Sequence, residues 1–426
     1  MTSNAELLKR RERLLGPNMR VFYDEPLQLV RGEGVWVYDA DGRKYLDCYN
    51  NVPHVGHCHP HVVEAICKQA ATLNTHTRYL HEGILNYVER LTATFAANIT
   101  SAIMACTGSE ANDVALRMAQ AVTGKTGIIA SNHTYHGNTS AVSQLSTTKP
   151  PIGGFGGHIR HVTAPDSYRP TGGDAASHAK AFATEVEQAC KSLTASGHGV
   201  SGMIICPAFV NEGFPDLSAG FLDGAIAAVR KAGGVIIADE VQPGFGRIGS
   251  HFWGHQKSGF APDIVTMGKP MGNGHPVSAV ATSLDIMGAF RNAFGYFNTF
   301  GGNPVSCAAA NAVLDVIETE QLQKNAETTG KYTRQGLKKL AEKHSIIGDV
   351  RGSGLAIGAE LVLDRNTRKP ARAKADRIIN LMRQRGVLVG ANGIGYNVLK
   401  IRPPLPFGTA EADIMLTTLD QCLQAL

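Results

Sequence analysis

Two short apolar runs separated by an amphipathic stretch most constrain what this chain can fold into. "GMIICP" (202–207) and "GVIIADE" (234–240) each read as a fully buried strand, and "GFLDGAIAAVRKAGG" between them reads as a helix. A strand, a covering helix and a second buried strand imply an open α/β sheet with mostly parallel strands. The same rhythm appears earlier. "AIMACTG" (102–108) and "TGIIAS" (126–131) read as buried strands flanking the helix "SEANDVALRMAQAVTG" (109–124). That helix is expected to bury Ala111, Val114, Ala115, Met118, Ala119 and Val122 on one face.

The two ends of the chain break this rhythm. A short helix is expected near residues 5–15, and "GVWVYDADGRKYLD" (34–47) reads as two strands with a turn at Asp41-Gly42. Beyond residue 305, one long helix ("PVSCAAANAVLDVIETEQL") leads into the strand pair of "IGDVRGSGLAIGAELV". The helix "ADRIINLMRQRG" and the strand "NVLKIRPP" follow. The expected division is therefore a large α/β domain over 56–310 and a smaller α+β domain. The smaller one joins an N-terminal segment (1–55) to residues 311–426. At 426 residues, 43% apolar and 18% charged, the chain can bury such cores.

Several function classes are disfavoured. The net charge of +5 is small for this length and its basic residues are scattered, apart from Lys9, Arg10, Arg11 and Arg13, which read as a solvated helix face. No nucleic-acid partner is expected. The sequence has no apolar run of 18 or more residues and no signal-peptide h-region near its start, so neither a membrane span nor export is expected. Eight dispersed cysteines without a C-x-x-C pair fit reduced thiols and a cytoplasmic location. "GFGRIG" (244–249) matches the dinucleotide fingerprint, but Asp239 and Glu240 directly before it would repel a pyrophosphate, so no such site is expected. "HVGHCHPH" (54–61) holds four histidines and a cysteine. They stand too close together to converge on one ion, so no metal is expected.

The chemistry gathers at strand ends. Asp239 ends an apolar strand, and the C-terminal edge of a parallel strand is where α/β enzymes bind ligands. Thirty positions later, Lys269 follows another apolar run and is hemmed in by Gly268, Pro270, Gly272 and Gly274. Glycines there permit sharp turns and close approach of a ligand. An amine and an acid near one another are what pyridoxal 5'-phosphate (PLP) requires: one bonds its aldehyde and the other keeps its pyridine nitrogen protonated. Gly108 and Ser109 of "TGSEAND" (107–113) open a helix, where free N–H groups and the dipole suit a phosphate. Tyr135 of "HTYHG" (133–137) is an aromatic residue placed to stack on a pyridine ring.

Together with "GHCHP", "ADEVQPGFGR", "NTFGGNP" and "NVLKIRPPL", these motifs make the chain resemble class III PLP-dependent aminotransferases of fold type I along nearly its whole length. The resemblance implies Lys269 as the Schiff-base lysine and proton carrier, with Asp239 on the pyridine nitrogen. It further implies Gln242 on the ring hydroxyl, Val241 beneath the ring, Tyr135 above it, and Gly108 and Ser109 on the phosphate. Thr299 would reach that phosphate from a second copy, making a homodimer with shared active sites. The implied reaction is ω-transaminase chemistry, moving an amino group from an amine or ω-amino compound to a 2-oxo acid such as pyruvate.

The sequence departs from the family at the substrate end. Many members carry "EPVQGEGG" where this chain reads "CPAFVNEG" (206–213), so Cys206 and Asn211 stand where two glutamates are usual. Many also bind the substrate carboxylate with an arginine where this chain has Lys400, while Arg402 lies two residues on and would share a strand face with it. Glu212 is a candidate to replace the missing carboxylate. Tyr49, Asn50, Asn51 and His54 are expected at the substrate entrance, with Asn50 and Asn51 suiting an anionic group. "YNNVPHVGHCHP", "HFWGHQ", "MGKPMGNGHPV" and "YFNTFGGNPVSCA" together resemble the ethanolamine-phosphate phospho-lyase branch, whose alternative reaction eliminates phosphate from a phosphorylated amino alcohol such as phosphoethanolamine.

Overall fold

A computed structural model of the chain describes residues 3–17 and 21–426. Its centre is a seven-stranded sheet built from β4 (Ser101–Ala105) through β10 (Ser278–Thr282). Between them lie β5 (Ile128–Ser131), β6 (Ile159–Val162), β7 (Gly202–Ile205), β8 (Val235–Asp239) and β9 (Ile264–Met267), and the spatial order is β4-β10-β9-β8-β7-β5-β6. Only β10 runs against its neighbours; β9, β8, β7, β5 and β6 pair in parallel. Residues of β5, β7, β9 and β10 are buried throughout, which is why each reads as a continuous apolar run rather than an alternation.

Two smaller sheets flank this one. β1 (Leu29–Glu33), β2 (Trp36–Asp39) and β3 (Lys44–Asp47) form a meander, and β13 (Val387–Leu388) from the far end of the chain adds in parallel to β3. The other sheet is antiparallel in the order β11-β12-β15-β14, from Ile347–Ser353, Ala356–Leu361, Val398–Ile401 and Gly390–Asn392. The N-terminal and C-terminal segments thus share a sheet.

Two expectations need correction. In helix Gly108–Thr123 the predicted face is buried from Ala111 to Ala119, but Val122 is exposed, because the last turn runs past the edge of the sheet. The long helix expected after residue 305 is Pro304–Thr319, and a second, unexpected helix, Leu322–Lys343, follows it after Gln321 at φ 53°. The second buries Leu322, Ala326, Thr329, Gly330, Thr333, Leu337 and Leu340. A stripe with one glycine and two threonines carries a weak apolar period.

The four histidines of "HVGHCHPH" diverge. His54 hydrogen-bonds the Phe245 carbonyl at 2.7 Å, His57 the Asp47 carboxylate at 2.8 Å, His59 Glu320 at 2.9 Å and His61 Asp315 at 2.9 Å. Pro60 opens helix Pro60–Ala70, where a missing N–H costs nothing. The turn fastens the N-terminal segment to helix Pro304–Thr319 and to the loop after β8. His54 is not at the substrate entrance. It is fully buried, and its other ring nitrogen meets Arg247 at 3.2 Å.

Candidate active site

Gly108, Ser109, Asp239 and Lys269 lie at the C-terminal ends of strands of the central sheet, while Tyr49, Asn50 and Asn51 follow β3 and Lys400 and Arg402 come from the C-terminal sheet. Asp239 ends β8 and is buried. Its Oδ1 accepts the Val241 N–H at 3.0 Å, and its Oδ2 accepts from His136 Nδ1 at 2.6 Å and from Asn112 Nδ2 at 3.0 Å. Asn112 also donates to the His136 carbonyl, and Thr266 on β9 donates to Asn112 Oδ1 at 2.6 Å, which fixes the amide's orientation. The second ring nitrogen of His136 meets Thr134 Oγ1 at 3.0 Å.

His136, Asn112 and Thr266 are functional residues that sequence reasoning alone misses. Their signal lies in "SEAND" and "YHG", as a buried amide and an imidazole beside the residues selected. A buried carboxylate with three donors is held in place and aimed. We therefore expect Asn112→Ala to weaken cofactor retention roughly 10- to 100-fold, the equivalent of one hydrogen bond to a charged group at about 1.5–3 kcal/mol. Dialysis followed by absorbance of the remaining cofactor measures this. Wild-type retention would show that Asn112 does not support Asp239.

Lys269 follows β9, and none of the described residues hydrogen-bonds its amine. Burial pushes that amine below the ordinary lysine value; Asp239 opposes the shift and Arg402 adds to it. Gly268 brings the lysine against the phosphate cup. A Cβ on Gly268 would stand 3.4 Å from the Gly108 nitrogen and 3.5 Å from Val241 Cγ1.

The cup is the start of helix Gly108–Thr123. Thr107 is the N-cap, and Glu110 returns the capping-box bond to the Thr107 N–H at 3.0 Å while also accepting from Cys106. Gly108 and Ser109 are the first two residues inside the helix, so their N–H groups have no intrahelical acceptor. The Ser109 hydroxyl accepts from the Asn138 N–H at 3.0 Å, joining the cup to the loop that carries Tyr135. A Cβ on Gly137 would stand 2.6 Å from Ser109 Oγ, so that loop requires a glycine. Tyr135 is half exposed and donates to Asn138 at 3.1 Å.

These residues fit PLP. Free helix N–H groups would hold its phosphate, Asp239 its ring nitrogen, Val241 and Tyr135 its faces, and the unpaired Lys269 amine its aldehyde. The Gln242 side chain is committed in part, because its Oε1 accepts from Arg402. Thr299 contacts none of these groups within the chain. It lies on an exposed stretch with Phe297 and Phe300, lining a surface cleft with Glu110 and Arg117.

At the substrate end, Lys400 and Arg402 are both buried, at 6% and 5% exposure, and both lie close enough to Lys269 for their charges to interact. Lys400 Nζ donates to Asn211 Oδ1 at 3.2 Å. Arg402 Nη1 donates to Asn51 Oδ1 at 2.8 Å, and the guanidinium lies 4.9 Å from the centre of the Tyr49 ring. Its Nε, like Asn51 Nδ2, has no partner among the described residues. Asn50 shapes the entrance loop through backbone bonds, its N–H donating to Asp47. Burial pushes the Lys400 amine well down, and Arg402 and Lys269 add to the shift. Glu212 does not replace the missing carboxylate. Its Oε1 accepts from Ser131 at 2.9 Å, and its buried Oε2 is unpaired, so desolvation pushes its carboxyl up. Among the described residues, no carboxylate forms an ion pair with Lys400 or Arg402.

Comparison with known proteins agrees with this geometry. The family model "Aminotransferase class-III" matches residues 20–423. The chain is 42% identical to "Alanine--glyoxylate aminotransferase 2-like" of Drosophila melanogaster, covering 100% of this chain and 88% of that protein. It is 39% identical to "Ethanolamine-phosphate phospho-lyase homolog 1" of Caenorhabditis elegans, covering 99% and 94%. Among solved structures, a phospholyase from Arthrobacter in complex with phosphoethanolamine superposes with a TM-score of 0.95 at 44% identity, covering 99% of this chain and 100% of that one. A Bacillus anthracis aminotransferase superposes with a TM-score of 0.88 at 28% identity, each chain covered in full at 100%. The chain belongs to the class-III aminotransferase family of PLP-dependent enzymes.

Proposed function

We propose that this enzyme is a PLP-dependent phospho-lyase acting on a phosphorylated amino alcohol of the size of phosphoethanolamine. The observation that carries this reading is the pair Lys400 and Arg402, buried side by side at the substrate end with only neutral partners. Two buried nitrogen donors held by neutral side chains, with no direct ion pair, are suited to an arriving anion, and a phosphate dianion answers both. The similarity to a phospholyase that binds phosphoethanolamine supports the same choice.

Bound PLP supplies an electron sink at the substrate's amine-bearing carbon. Lys269, unpaired and with its proton affinity lowered by burial, is placed to remove the proton from that carbon. Asp239, held by His136, Asn112 and the Val241 N–H, keeps the cofactor nitrogen protonated. Lys400 and Arg402 then hold the phosphate as its bond to carbon breaks and the electron pair leaves with it. With phosphoethanolamine and one water, the products balance as acetaldehyde, ammonia and inorganic phosphate.

The test mixes holoenzyme with phosphoethanolamine and no acceptor. One phosphate released per substrate consumed is the expected result. Transamination to a 2-oxo acid is the second reading, favoured by the similarity to an alanine–glyoxylate aminotransferase-like protein. Alanine formed from pyruvate and an amine donor, with no phosphate released, would replace the first reading by the second. The proposal includes a homodimer, supported by the exposed apolar side chains of Tyr79, Leu80, Phe297 and Phe300.

A further inference from the structure

We propose that Asn211 determines the charge class of the anion this site accepts, because a neutral amide holds the Lys400 amine in place while leaving it for the substrate's second negative charge. The inference rests on the phospho-lyase reading and adds a residue whose role that reading does not require.

Asn211 sits in the segment after β7, and its position is fixed from the C-terminal sheet. Its carbonyl accepts the Gly393 N–H at 3.0 Å, and the adjoining Val210 carbonyl accepts from Asn392. The side chain is thereby presented to Lys400 on β15, with Oδ1 3.2 Å from Nζ. The next residue could have supplied a carboxylate, but Glu212 is turned to Ser131 on β5. Asp239 is occupied by three donors. Lys400 is therefore oriented by a neutral acceptor and not by an ion pair.

Charge arithmetic then separates ligand classes. Arg402, with a free Nε, suffices for a monoanion such as a carboxylate. A phosphate dianion calls on a second donor, and Lys400, bonded to a neutral amide and close enough to Arg402 for their charges to interact, is placed to supply it. The Lys400 amine is pushed down by burial and by its cationic neighbours, so an arriving dianion also favours its protonation. A carboxylate at position 211 would fill that role within the protein and leave Arg402 to act alone.

Asn211→Asp tests this with almost no change in volume. In the holoenzyme, whose cup is filled by the cofactor's own phosphate, inorganic phosphate serves as a competitive probe and acetate as the monoanion. The variant is expected to raise the inhibition constant of phosphate and the KM for phosphoethanolamine about tenfold or more, with kcat within about threefold and acetate inhibition unchanged. Asn211→Ala, which removes the amide but adds no charge, is expected to keep phosphate inhibition within about threefold of wild type. Equal weakening in both variants would mean that the amide only shapes the pocket, and would overturn the proposal. So would an Asp variant that binds phosphate as wild type does. Wild-type enzyme that releases no phosphate from phosphoethanolamine sinks the lyase reading separately, since the inhibition constants report on anion binding without turnover.

Discussion

Lys269→Ala should yield a folded protein that retains its cofactor and turns over no substrate. The cofactor's other holds do not involve the lysine: the free N–H groups of Gly108 and Ser109, the Asp239 carboxylate and the Val241 side chain all remain. Retention by these contacts alone is expected, in non-covalent form. Turnover is another matter, because the same amine bonds the cofactor and carries the proton. Loss of a positioned base alone accounts for roughly 10²–10⁴ in rate, and loss of the covalent exchange adds to it. We expect activity to fall at least about a thousandfold, by phosphate release or by amino transfer, whichever reaction the enzyme performs. Borohydride treatment followed by peptide mass analysis gives an independent readout. Wild type should carry a reduced cofactor adduct on the peptide containing Lys269, and the variant should carry none. A variant with full adduct on another lysine would move the catalytic amine elsewhere.

Arg402→Met should leave the cofactor bound and raise the KM for an anionic substrate steeply. Arg402 is buried among neutral acceptors, Asn51 and Gln242, beneath the Tyr49 ring. Removing one partner of a buried charge-assisted contact costs about 2–5 kcal/mol, which corresponds to roughly 30- to several-thousand-fold in kcat/KM. The variant also strips Asn51 Oδ1 and Gln242 Oε1 of their donor, so part of the loss comes from unpaired buried acceptors. Arg402→Lys should recover only a fraction, because one ammonium lacks the fork that reaches both amides and the substrate. Steady-state kinetics with phosphoethanolamine, alongside the absorbance of bound cofactor, separates substrate loss from cofactor loss. Unchanged kcat/KM in the methionine variant would remove Arg402 from the anion site.

Lys269 and Asp239 are legible in the sequence as site candidates because each stands at the end of an apolar strand, where a charged side chain is costly to bury without a partner or a ligand. The parallel sheet is legible from the same runs, since strands buried on both faces leave unbroken apolar segments. The support beneath Asp239 is not. His136 and Asn112 reach it across 103 and 127 residues of chain, and nothing local in "YHG" or "SEAND" points one at the other. Glu212 shows the limit most sharply. One position from Asn211, it is a candidate by sequence to pair with the substrate-end cations, yet successive side chains diverge and its carboxylate goes to Ser131. Helix Leu322–Lys343 escapes a periodicity reading because it packs closely rather than greasily. A Cβ on Gly330 would stand 2.0 Å from the Gly354 carbonyl oxygen, so the contact depends on a missing side chain.

The three sheets meet at this cleft with different duties. Lys269 follows β9 of the central sheet, Lys400 lies on β15 of the C-terminal sheet with Arg402 just past its end, and Tyr49, Asn50 and Asn51 follow β3 of the N-terminal one. The proposed reacting amine and the proposed anion-binding pair are thus mounted on separate sheets. The span between them works as a caliper for the substrate, and its jaws are set by how one sheet seats against another rather than by any pocket side chain. Tolerance for a longer amino alcohol would therefore come from altered seams between sheets, far from the cleft, and would change chain-length preference without touching a residue that meets the substrate.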